Sequence, residues 1–422
     1  MRLFLAVLVG KLVRQVVRLR GGGSAYPGRF ALFVYPNLLK RTLSNFRLGV
    51  VLVSGSNGKS TTTSLTVAAL ESQGLKVFTN SSGSNMPRGI GSAIIHSARL
   101  SGEIDADIAV IEVDEGYAEQ IAKELVPNWF VLTNVQIDQL NRFYEPDRVF
   151  EMLLEASSFA TAGVIVNGTD ANLIELISRL DANEVFQINA SLDALKTWPK
   201  GALAAPIFGL SNKTVDAPVL ATILSEKDGV SNLEVAGRAV AVSTPGKGLH
   251  FAIATALSIA LASKISGEDF DLAKAVAEVG SLPTVYGRGE QTFHKGASFQ
   301  IMMMKNPPSM QANLVAMGKT KNNIWIAVDE GTPDTSWIYD IDFSGISGVE
   351  VISGTMAWHL ALRLRYAGIP VHSVIPDSRD ALQRYVDYLS GISEPGTLLS
   401  NYEQMMLVRK LIGLNDLEGG RS

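Results

Sequence analysis

Short apolar runs alternate along this chain with longer segments in which apolar residues recur at helical spacing. The stretch 48–74 begins with the apolar run VVLVS, passes through a glycine-bearing turn and continues as a helix rich in small residues. Similar apolar runs that end in polar residues lie at 107–115, 128–135 and 163–170. Strands that alternate with helices predict an α/β fold with a parallel sheet covered on both faces, whose ligands bind at the carboxyl ends of the strands.

The chain has 422 residues, a length that suits two or three domains. The same pattern of apolar runs indicates where these domains begin and end. We expect an N-terminal amphipathic helix and a glycine-rich connector in 1–47, and a central α/β domain in 48–287. Within the central domain, 185–245 breaks into short strands interrupted by proline and glycine, which predicts an irregular β-rich insert. Strands and helices alternate again in 288–422, which predicts a smaller C-terminal α/β domain.

Composition removes several classes of function. The net charge of −4 gives no electrostatic reason to expect nucleic-acid binding. The chain contains no cysteine, which excludes disulfides, thiolate metal sites and a cysteine nucleophile. Its five histidines are scattered without ligand spacing, and no stretch resembles a bilayer-spanning helix, so we expect neither a zinc site nor a membrane span.

The first twenty residues combine an apolar stripe with basic residues. All the basic residues except Arg2 follow the apolar run, whereas an export signal carries its basic residues first and a cleavage site last. We therefore expect a cytoplasmic protein. Two interpretations of this helix stay open, namely packing on the body of the protein and contact with the anionic inner face of the plasma membrane. The other basic residues are Lys11, Arg14, Arg18 and Arg20.

The strongest candidate for chemistry is the turn directly after the run VVLVS. It consists of Gly55, Ser56, Asn57, Gly58, Lys59, Ser60 and Thr61. Backbone N–H groups of such a turn hold phosphate oxygens, a lysine adds charge at the outer phosphates, and a serine ligates Mg²⁺. The turn therefore predicts an ATP site with Lys59 at the phosphates and Ser60 at magnesium. A turn without a ligand is the structural alternative, because two residues separate the glycines where the general phosphate-binding loop has four.

This shortened loop resembles that of the Mur ligase and folylpolyglutamate synthetase superfamily, and the resemblance continues downstream. The family places a magnesium-ligating glutamate at the end of the next strand, where this chain has Glu112. Thr133 and Asn134 match the family's strand-end pair, which implies that Asn134 lies at the nucleotide. Asp138 matches a downstream acidic motif, whereas Gln139 stands where many amino-acid ligases have histidine. A solvated carboxylate is the structural alternative for Glu112.

Segments spread over nearly the whole chain resemble one branch of this family, MurT. The most specific is DTSWIYDIDF at 334–343, which Mur amino-acid ligases generally lack. Those ligases carry an aspartate-tyrosine-alanine-histidine-asparagine-proline motif where this chain has MMMKNPP. The other matching segments lie at 21–32, 80–90, 112–116, 138–145, 305–310 and 400–405.

The resemblance implies an ATP-dependent and Mg²⁺-dependent ligase of peptidoglycan biosynthesis. Proteins of this branch use ATP to convert the α-carboxyl of D-glutamate in the lipid II stem peptide to an acyl phosphate. Ammonia then attacks the acyl carbon and displaces phosphate, which gives D-isoglutamine. Glutaminases of the relevant class use a cysteine nucleophile, and because this chain has none, glutamine-derived ammonia requires a second protein. The family's partner is GatD, a class I glutaminase that forms a heterodimer with MurT.

The resemblance also supplies four candidate residues beyond the turn. Asp334 occupies the position of an acidic residue required for amidation, and Arg288 matches a linker arginine that approaches ATP when the domains close. Lys305 and Asn306 are expected to face the nucleotide cleft between the domains. The structural alternatives are a helix cap for Asp334, a surface arginine for Arg288 and a solvated loop charge for Lys305.

Two departures from the family pattern bear on the site. Many MurT proteins carry a four-cysteine zinc ribbon, and 185–245 has no cysteine, so zinc is not expected. Leu249 and Ala252 stand where the family has asparagines, which leaves the contacts to the nucleotide base open. A stand-alone Mur-type or folylpolyglutamate-type ligase with an amino-acid nucleophile is the leading alternative function. A nucleotide-binding protein without catalysis is the third.

Overall fold

Two sheets organise the part of the chain that the computed structural model describes. The described residues are 1–20, 25–80, 85–136, 146–180, 184–196, 217–282, 287–317, 322–330 and 336–414. The α/β fold with a second, smaller α/β domain is confirmed, because each sheet is built largely from parallel strands with helices between them.

Three helices precede the first strand. They are α1 (Arg2–Arg20), α2 (Tyr26–Val34) and α3 (Leu38–Leu43). The central elements follow as β1 (Val50–Ser54), α4 (Lys59–Glu71), β2 (Val77–Thr79), α5 (Pro87–Ser97), β3 (Ile108–Glu112), α6 (Glu115–Leu125), β4 (Trp129–Leu132), α7 (Pro146–Ser158), β5 (Gly163–Asn167), α8 (Ala171–Arg179), β6 (Val185–Ala190), α9 (Leu192–Leu195), β7 (Val219–Lys227), β8 (Val230–Val235), β9 (Arg238–Ser243), α10 (Leu249–Ser266) and α11 (Leu272–Ser281).

The first sheet has the order β2-β3-β1-β4-β5-β6-β7-β8-β9. Its strands are parallel from β2 to β7, whereas β7, β8 and β9 pair as antiparallel hairpins. The expected parallel sheet is therefore extended by antiparallel strands at one edge. Within 185–245, the described strands β6 to β9 continue the central sheet, with a register irregularity at Gln187/Ile188 in the β6–β7 pair and at Ile223/Ser225 in the β7–β8 pair. The expectation of an irregular insert there stays a prediction. Alternating exposed and buried positions in β8, typical of a half-covered antiparallel edge, explain the weak sequence signal.

Apolar residues of the central strands supply a core on each face of this sheet. All five residues of β1 are buried, with Val50 and Leu52 in one core cluster and Val51 and Val53 in the other. Because successive strand residues point to opposite faces, a continuous apolar run is what a doubly covered parallel strand requires. The polar ends of these strands therefore meet at one edge of the sheet.

Helix α10 is the most apolar helix among the described residues. By length and composition it could cross a membrane, which differs from the expectation that no such stretch exists. Most of this segment is buried inside the protein, where it packs on α4 and on the strands of the central sheet. A helix that is hydrophobic all round is also what a protein core requires.

The C-terminal domain begins with β10 (Arg288–His294). Its further elements are β11 (Ala297–Met303), α12 (Pro307–Ala316), β12 (Ile324–Ala327), a 3-10 turn (Ser336–Tyr339), β13 (Val349–Ser353), α13 (Ala357–Tyr366), β14 (Val371–Val374), α14 (Ser378–Ile392), β15 (Gly396–Ser400) and α15 (Tyr402–Leu411). The strand order is β10-β11-β15-β12-β13-β14, and only the β10–β11 hairpin is antiparallel. The carboxyl end of β11 leads into α12 through Lys305 and Asn306, which brings this domain to the central one.

The N-terminal helices lie on the central domain through a close crossing of α2 and α5. The N–H of Gly28 donates to Ser92 Oγ at 2.8 Å. A Cβ atom on Gly28 would lie 2.0 Å from the carbonyl oxygen of Arg88, so the two backbones approach too closely for any larger residue. Helix α1 packs in turn on both α2 and α5. These three helices therefore form one layer.

Candidate functional site

The turn after β1 has the backbone geometry of a phosphate-binding loop. Gly55 and Gly58 adopt φ values of +127° and +84°, which glycine reaches without strain. A Cβ atom on Gly55 would lie 2.3 Å from Thr133 Oγ1. Helix α4 begins at Lys59, so Ser60 and Thr61 lie in its first turn, where unpaired N–H groups and the helix dipole favour an anion.

Side chains at the end of β4 hold this turn in place. Asn134 Oδ1 accepts from the N–H of Asn57 at 2.8 Å, and Asn134 Nδ2 donates to the carbonyl oxygen of Asn57 at 2.9 Å. Thr133 Oγ1 donates to the same carbonyl at 2.7 Å. Ser56 Oγ is paired with the backbone of Gln136, whose side chain accepts from Asn57 Nδ2 at 2.7 Å. The strand-end Thr-Asn pair therefore preorganises the turn.

Lys59 forms a buried ion pair with Glu115, the first residue of α6. Its Nζ atom lies 2.8 Å from Glu115 Oε2, and the two side chains are only 7% and 1% exposed. Lys59 Nζ also donates to the carbonyl oxygen of Gly55 at 2.5 Å. Asp114 caps α6 by accepting from the N–H of Gly116, which fixes the backbone that carries Glu115. The ammonium is thus neutralised by the protein before any phosphate arrives.

Glu112 ends the strand next to β1 and is held by two asparagines. The backbone N–H and carbonyl of Glu112 both pair with the side chain of Asn80, at 2.9 Å each. Asn85 Nδ2 donates to Glu112 Oε1 at 3.1 Å. Since β1 and β3 are paired with Val53 opposite Glu112, this carboxylate lies at the edge where the turn begins.

The donors present fit a magnesium ion that takes part of its coordination from a nucleotide. Mg²⁺ in such sites is bound by one or two protein oxygens together with phosphates and water. Glu112 ends β3 and Ser60 lies in the first turn of α4, so both offer a side-chain oxygen near the carboxyl ends of the neighbouring strands β1 and β3. Within the described ranges no group of three or more His, Asp or Glu side chains converges, which disfavours a cage made by the protein alone.

A cavity of about 680 Å³ adjoins the turn and is lined by both domains. Its size lies within the range of about 300–1,000 Å³ that is usual for ligand sites. Thr62, Asn134, Asp170, His250, Phe251 and Met302 contribute to the lining.

The segment before α10 meets the cavity differently from the family pattern. Leu249 and Ala252, which stand at the asparagine positions, are buried in the core at 3% and 0% exposure. Their neighbours His250 and Phe251 line the cavity instead. The apolar residues at the asparagine positions therefore pack in the core. The aromatic rings of His250 and Phe251 line the cavity.

Asp170 lies in the cavity wall at the start of α8. Burial raises the pKa of its carboxyl to about 6, against hydrogen bonds from the N–H groups of Val135, Leu173 and Asn172 that lower it. These bonds cap α8 and tie it to the chain that leaves β4. Asp170 therefore fixes the wall of the cavity beside Asn134.

Lys305 and Asn306 connect the C-terminal domain to the turn. Lys305 Nζ donates to the carbonyl oxygen of Ser56 at 2.9 Å, and Asn306 Nδ2 donates to Asn57 Oδ1 at 3.3 Å. Asn306 also caps α12 by accepting from the N–H of Ser309, so its side chain joins a helix terminus to the turn. Lys305 and Asn306 therefore join the C-terminal domain directly to the turn.

The loop after β12 is held firmly at its base by the segment 400–405. Asn401 exchanges two hydrogen bonds with the backbone of Asp329, at 3.3 and 3.0 Å. Gln404 Nε2 donates to Asp329 Oδ2 at 2.8 Å, and the N–H of Thr355 donates to Asp329 Oδ1 at 2.9 Å. Asp334 itself lies outside the described residues.

The structure brings together most of the residues that the sequence singled out. Asn57 and Gly58 of the turn line the cavity together with Asn134 and Lys305. Asn306 contacts Asn57, and Glu112 lies on the adjacent strand end. The backbone of Arg288 begins β10, while its side chain lies outside the described part, as do Asp138 and Gln139. The pairing of Glu115 with Lys59 was missed, although Glu115 belongs to the segment 112–116 already singled out.

Comparison with known proteins assigns the two domains to one family. A model of the Mur ligase middle domain matches residues 53–262, and a model of the MurT ligase C-terminal domain matches residues 303–405. The chain belongs to the MurT branch of the Mur ligase family. The expected ATP-dependent ligase class is confirmed at the level of this family.

Two relatives match this assignment over nearly the whole chain, and a solved structure shares the fold. The lipid II isoglutaminyl synthase (glutamine-hydrolyzing) subunit MurT of Streptococcus pneumoniae is 26% identical, with 97% of this chain and 96% of that protein covered. The protein of the same name from Staphylococcus aureus strain COL is also 26% identical, with 100% of both covered. The MurF ligase of Thermotoga maritima, crystallised with ADP, superposes with a TM-score of 0.65 at 17% identity and covers 90% of this chain and 82% of its own.

The Lys59–Glu115 pair yields a prediction about stability and nucleotide binding. Glu115→Gln leaves a buried ammonium without its anion, which costs about 3–5 kcal/mol when one partner of a buried pair is removed. We expect a lower melting temperature for the ligand-free variant. A non-hydrolysable ATP analogue with Mg²⁺ should raise that temperature more in the variant than in the unmodified chain, because phosphate supplies the missing charge.

The matched control is Glu119→Gln, an exposed glutamate on the same helix. It should leave both the melting temperature and the nucleotide-induced shift unchanged. Equal behaviour of Glu115→Gln and Glu119→Gln would show that Glu115 does not balance the charge of Lys59.

Proposed function

We propose that this chain is the synthetase subunit of a glutamine-dependent amidase that acts on lipid II. The subunit activates the α-carboxyl of D-glutamate in the stem peptide with ATP, and ammonia from a glutaminase partner completes the amide. The observation that carries the proposal is the MurT-type C-terminal domain, matched at 303–405, joined to a complete phosphate-binding turn. Relatives named for this activity cover nearly the whole chain.

The chemistry explains why a carboxyl substrate needs this turn. A carboxylate is a poor electrophile, and transfer of the γ-phosphoryl group to it creates an acyl phosphate with phosphate as the leaving group. Negative charge develops on the transferring oxygens, and fixed donors around them lower the barrier. Lys59 is suited to that role because phosphate oxygens at the start of α4 replace Glu115 as its anionic partner. Mg²⁺, held by Ser60, Glu112 and phosphate, would supply further positive charge.

Contacts between the domains support closure around the nucleotide. Lys305 and Asn306 already touch the turn from the C-terminal side. Arg288 begins the strand at the domain boundary, where a linker arginine can reach ATP on closure. We assign these three residues, together with the turn and Asn134, to nucleotide binding.

Ammonia must be supplied by a second protein if glutamine is its source. The chain has no cysteine, so it has no nucleophile for glutamine hydrolysis of the class I type. We propose a GatD-type glutaminase subunit as the partner in a heterodimer. We assign to Asp334 the role of the acidic residue that acts where ammonia arrives, as the resemblance of 334–343 to the MurT segment implies.

An exposed aromatic and apolar stripe supports partner docking on the C-terminal domain. Trp358, Leu362 and Tyr366 follow at four-residue spacing along one face of α13 and are 64%, 52% and 83% exposed. Arg363 of the same helix donates to the carbonyl oxygens of Tyr339 and Ile341 at 3.2 and 2.8 Å. The helix that carries the stripe therefore contacts Tyr339 and Ile341, which belong to the sequence segment that is specific to this branch. Large aromatic residues of this kind are typical centres of protein interfaces.

The proposed reaction belongs to the cytoplasm. ATP and glutamine are available there, and the sugar-peptide part of lipid II is assembled at the inner face of the plasma membrane. The alternative of a stand-alone ligase with an amino-acid nucleophile is a separate outcome of the assay below.

Mass spectrometry of the product distinguishes the candidate reactions. The purified chain is mixed with its glutaminase partner, lipid II, ATP, Mg²⁺ and glutamine. Replacement of a carboxyl by a carboxamide lowers the mass of the stem peptide by about one unit, whereas peptide-bond formation adds a whole residue. We expect the small decrease, and Lys59→Ala should abolish both product and ATP turnover. Addition of a residue would establish the stand-alone ligase instead.

Asp334→Asn separates activation from amide formation. We expect the variant to bind ATP normally and to lose amidation by roughly 10²-fold or more, the usual effect of removing a group that handles a proton. Asp340→Asn, an exposed neighbour in the same segment, is the control and should remain active. Undiminished amidation by Asp334→Asn would remove the role assigned to Asp334.

The stripe on α13 is tested by association with the glutaminase. The double variant Trp358→Ser and Leu362→Ser should weaken the heterodimer by roughly 30-fold or more, as loss of a central aromatic anchor commonly does. Phe293→Ser, on the equally exposed β10 hairpin, should bind as the unmodified chain does, since Phe293 is 72% exposed outside the stripe. Unchanged dissociation constants from calorimetry for the double variant would place the partner elsewhere.

A further inference from the structure

Charge is distributed very unevenly between the N-terminal helices and the rest of the chain. Residues 1–47 contain nine Lys and Arg and no Asp or Glu, so they carry a net charge of +9. The whole chain carries −4, which leaves −13 on the remaining residues. A positively charged segment on an otherwise negatively charged protein suggests that the segment binds a partner of negative charge.

Helix α1 is apolar on the face that points away from the protein. Its inner face is formed by Ala6 and Val7, which are fully buried. On the opposite side lie Leu5, Leu12, Val16 and Leu19, with exposures of 43%, 54%, 49% and 88%. A helix at the surface of a soluble protein usually turns a polar face to water. An apolar outer face in this position therefore needs another explanation.

Helix α2 continues this exposed apolar surface. Phe30 and Phe33 are 47% and 86% exposed, and α2 packs directly against α1. We define the N-terminal apolar face as Leu5, Leu12, Val16, Leu19, Phe30 and Phe33. Aliphatic and aromatic side chains that are exposed together mark an interaction surface rather than scattered surface residues.

Basic side chains flank this face. Lys11, Arg14 and Arg18 recur at spacings of three and four residues, so they lie along one side of α1. Burial lowers the pKa of His96 on α5, and these three cations lower it further. Arg29 is exposed on α2. A protein interface usually has a rim with both signs of charge, whereas the helices that carry this face contribute cations and no carboxylate, which complements lipid tails below phosphate headgroups.

The same layer of helices extends to the catalytic edge of the central domain. Helix α5 contacts α2 at Ser92, and it begins two residues after Asn85, which binds the side chain of Glu112. Eleven helical residues span roughly 16 Å, at about 1.5 Å for each residue. The apolar face and the proposed magnesium ligand are therefore connected through one short helix.

We propose that the N-terminal apolar face docks on an anionic lipid bilayer, with its leucine and phenylalanine side chains among the acyl chains and its cations at the headgroups. The catalytic edge then faces a substrate whose lipid stays in the membrane. This second statement rests on the proposed function, whereas bilayer docking does not.

Vesicle flotation without ATP, substrate or glutaminase tests the docking alone. The full chain is mixed with vesicles of phosphatidylcholine containing about 30% phosphatidylglycerol, or of phosphatidylcholine alone, in the charge regime described for cytoplasmic leaflets. We expect flotation with the anionic vesicles and several-fold weaker binding to the neutral ones or at high salt. Failure of the unmodified chain to float with anionic vesicles would overturn the proposal.

The triple variant Leu12→Gln, Val16→Gln and Leu19→Gln removes apolar side chains while keeping residues that suit a helix. Its partitioning should fall by roughly 10-fold or more, since membrane binding scales with buried apolar area. The control variant Leu100→Gln, Leu192→Gln and Phe293→Gln changes exposed apolar residues elsewhere and should float normally. Thermal unfolding must show that both variants are folded. Equal flotation of the two variants would contradict the proposal.

Two further readouts identify other occupants of the face. Loss of the glutaminase complex in the triple variant, with flotation unchanged, would make the face a protein-docking surface. Conversion of a dimer to a monomer by the same variant, again with flotation unchanged, would make it a contact between two copies of this chain.

Amidation assays separate this inference from the proposed function. We expect the triple variant to amidate a lipid-free muropeptide as fast as the unmodified chain does, but to lose about 10-fold with lipid II in vesicles. Vesicle binding without amidation of either substrate would refute the proposed function and leave the docking intact. Equal loss on both substrates would show that the face serves folding or catalysis instead of membrane delivery.

Discussion

The arrangement of this protein depends on a buried ammonium that must always have an anion beside it. Lys59 is 7% exposed at the start of α4, and in the ligand-free chain Glu115 supplies that anion at 2.8 Å. An unpaired charge at such a position would be strongly destabilising. We propose that a bound phosphate replaces this internal carboxylate as the partner of Lys59 when a nucleotide binds.

This exchange requires long-range order in the fold. Lys59 follows β1 and Glu115 follows β3, and the two strands are neighbours although α4, β2 and α5 lie between them in sequence. Asn134 fixes the turn from a third strand, and Asn306 reaches it from the second domain. The site is thus formed where several strand ends converge, which is why its parts are spread along the chain.

Local signals in the sequence predicted the turn, its strand and its helix, since Gly55, Gly58 and Lys59 are neighbours in sequence and each has a distinct backbone or charge requirement. The pairing of Lys59 with Glu115 was not predictable in this way, because it depends on which strands become adjacent. The antiparallel edge from β7 to β9 was missed for a similar reason. Its half-exposed strands have a weak pattern, and their order is set by the parallel sheet that they extend. The roles of Asp334 and Arg288 are proposals that rest on the family resemblance.

The most direct measurement is a crystal structure of the chain with a non-hydrolysable ATP analogue and Mg²⁺. We expect a triphosphate in the turn 55–61, with Lys59 Nζ turned from Glu115 to a phosphate oxygen and the metal between Ser60 and Glu112. A nucleotide bound elsewhere, with the Lys59–Glu115 pair intact and the turn empty, would contradict it.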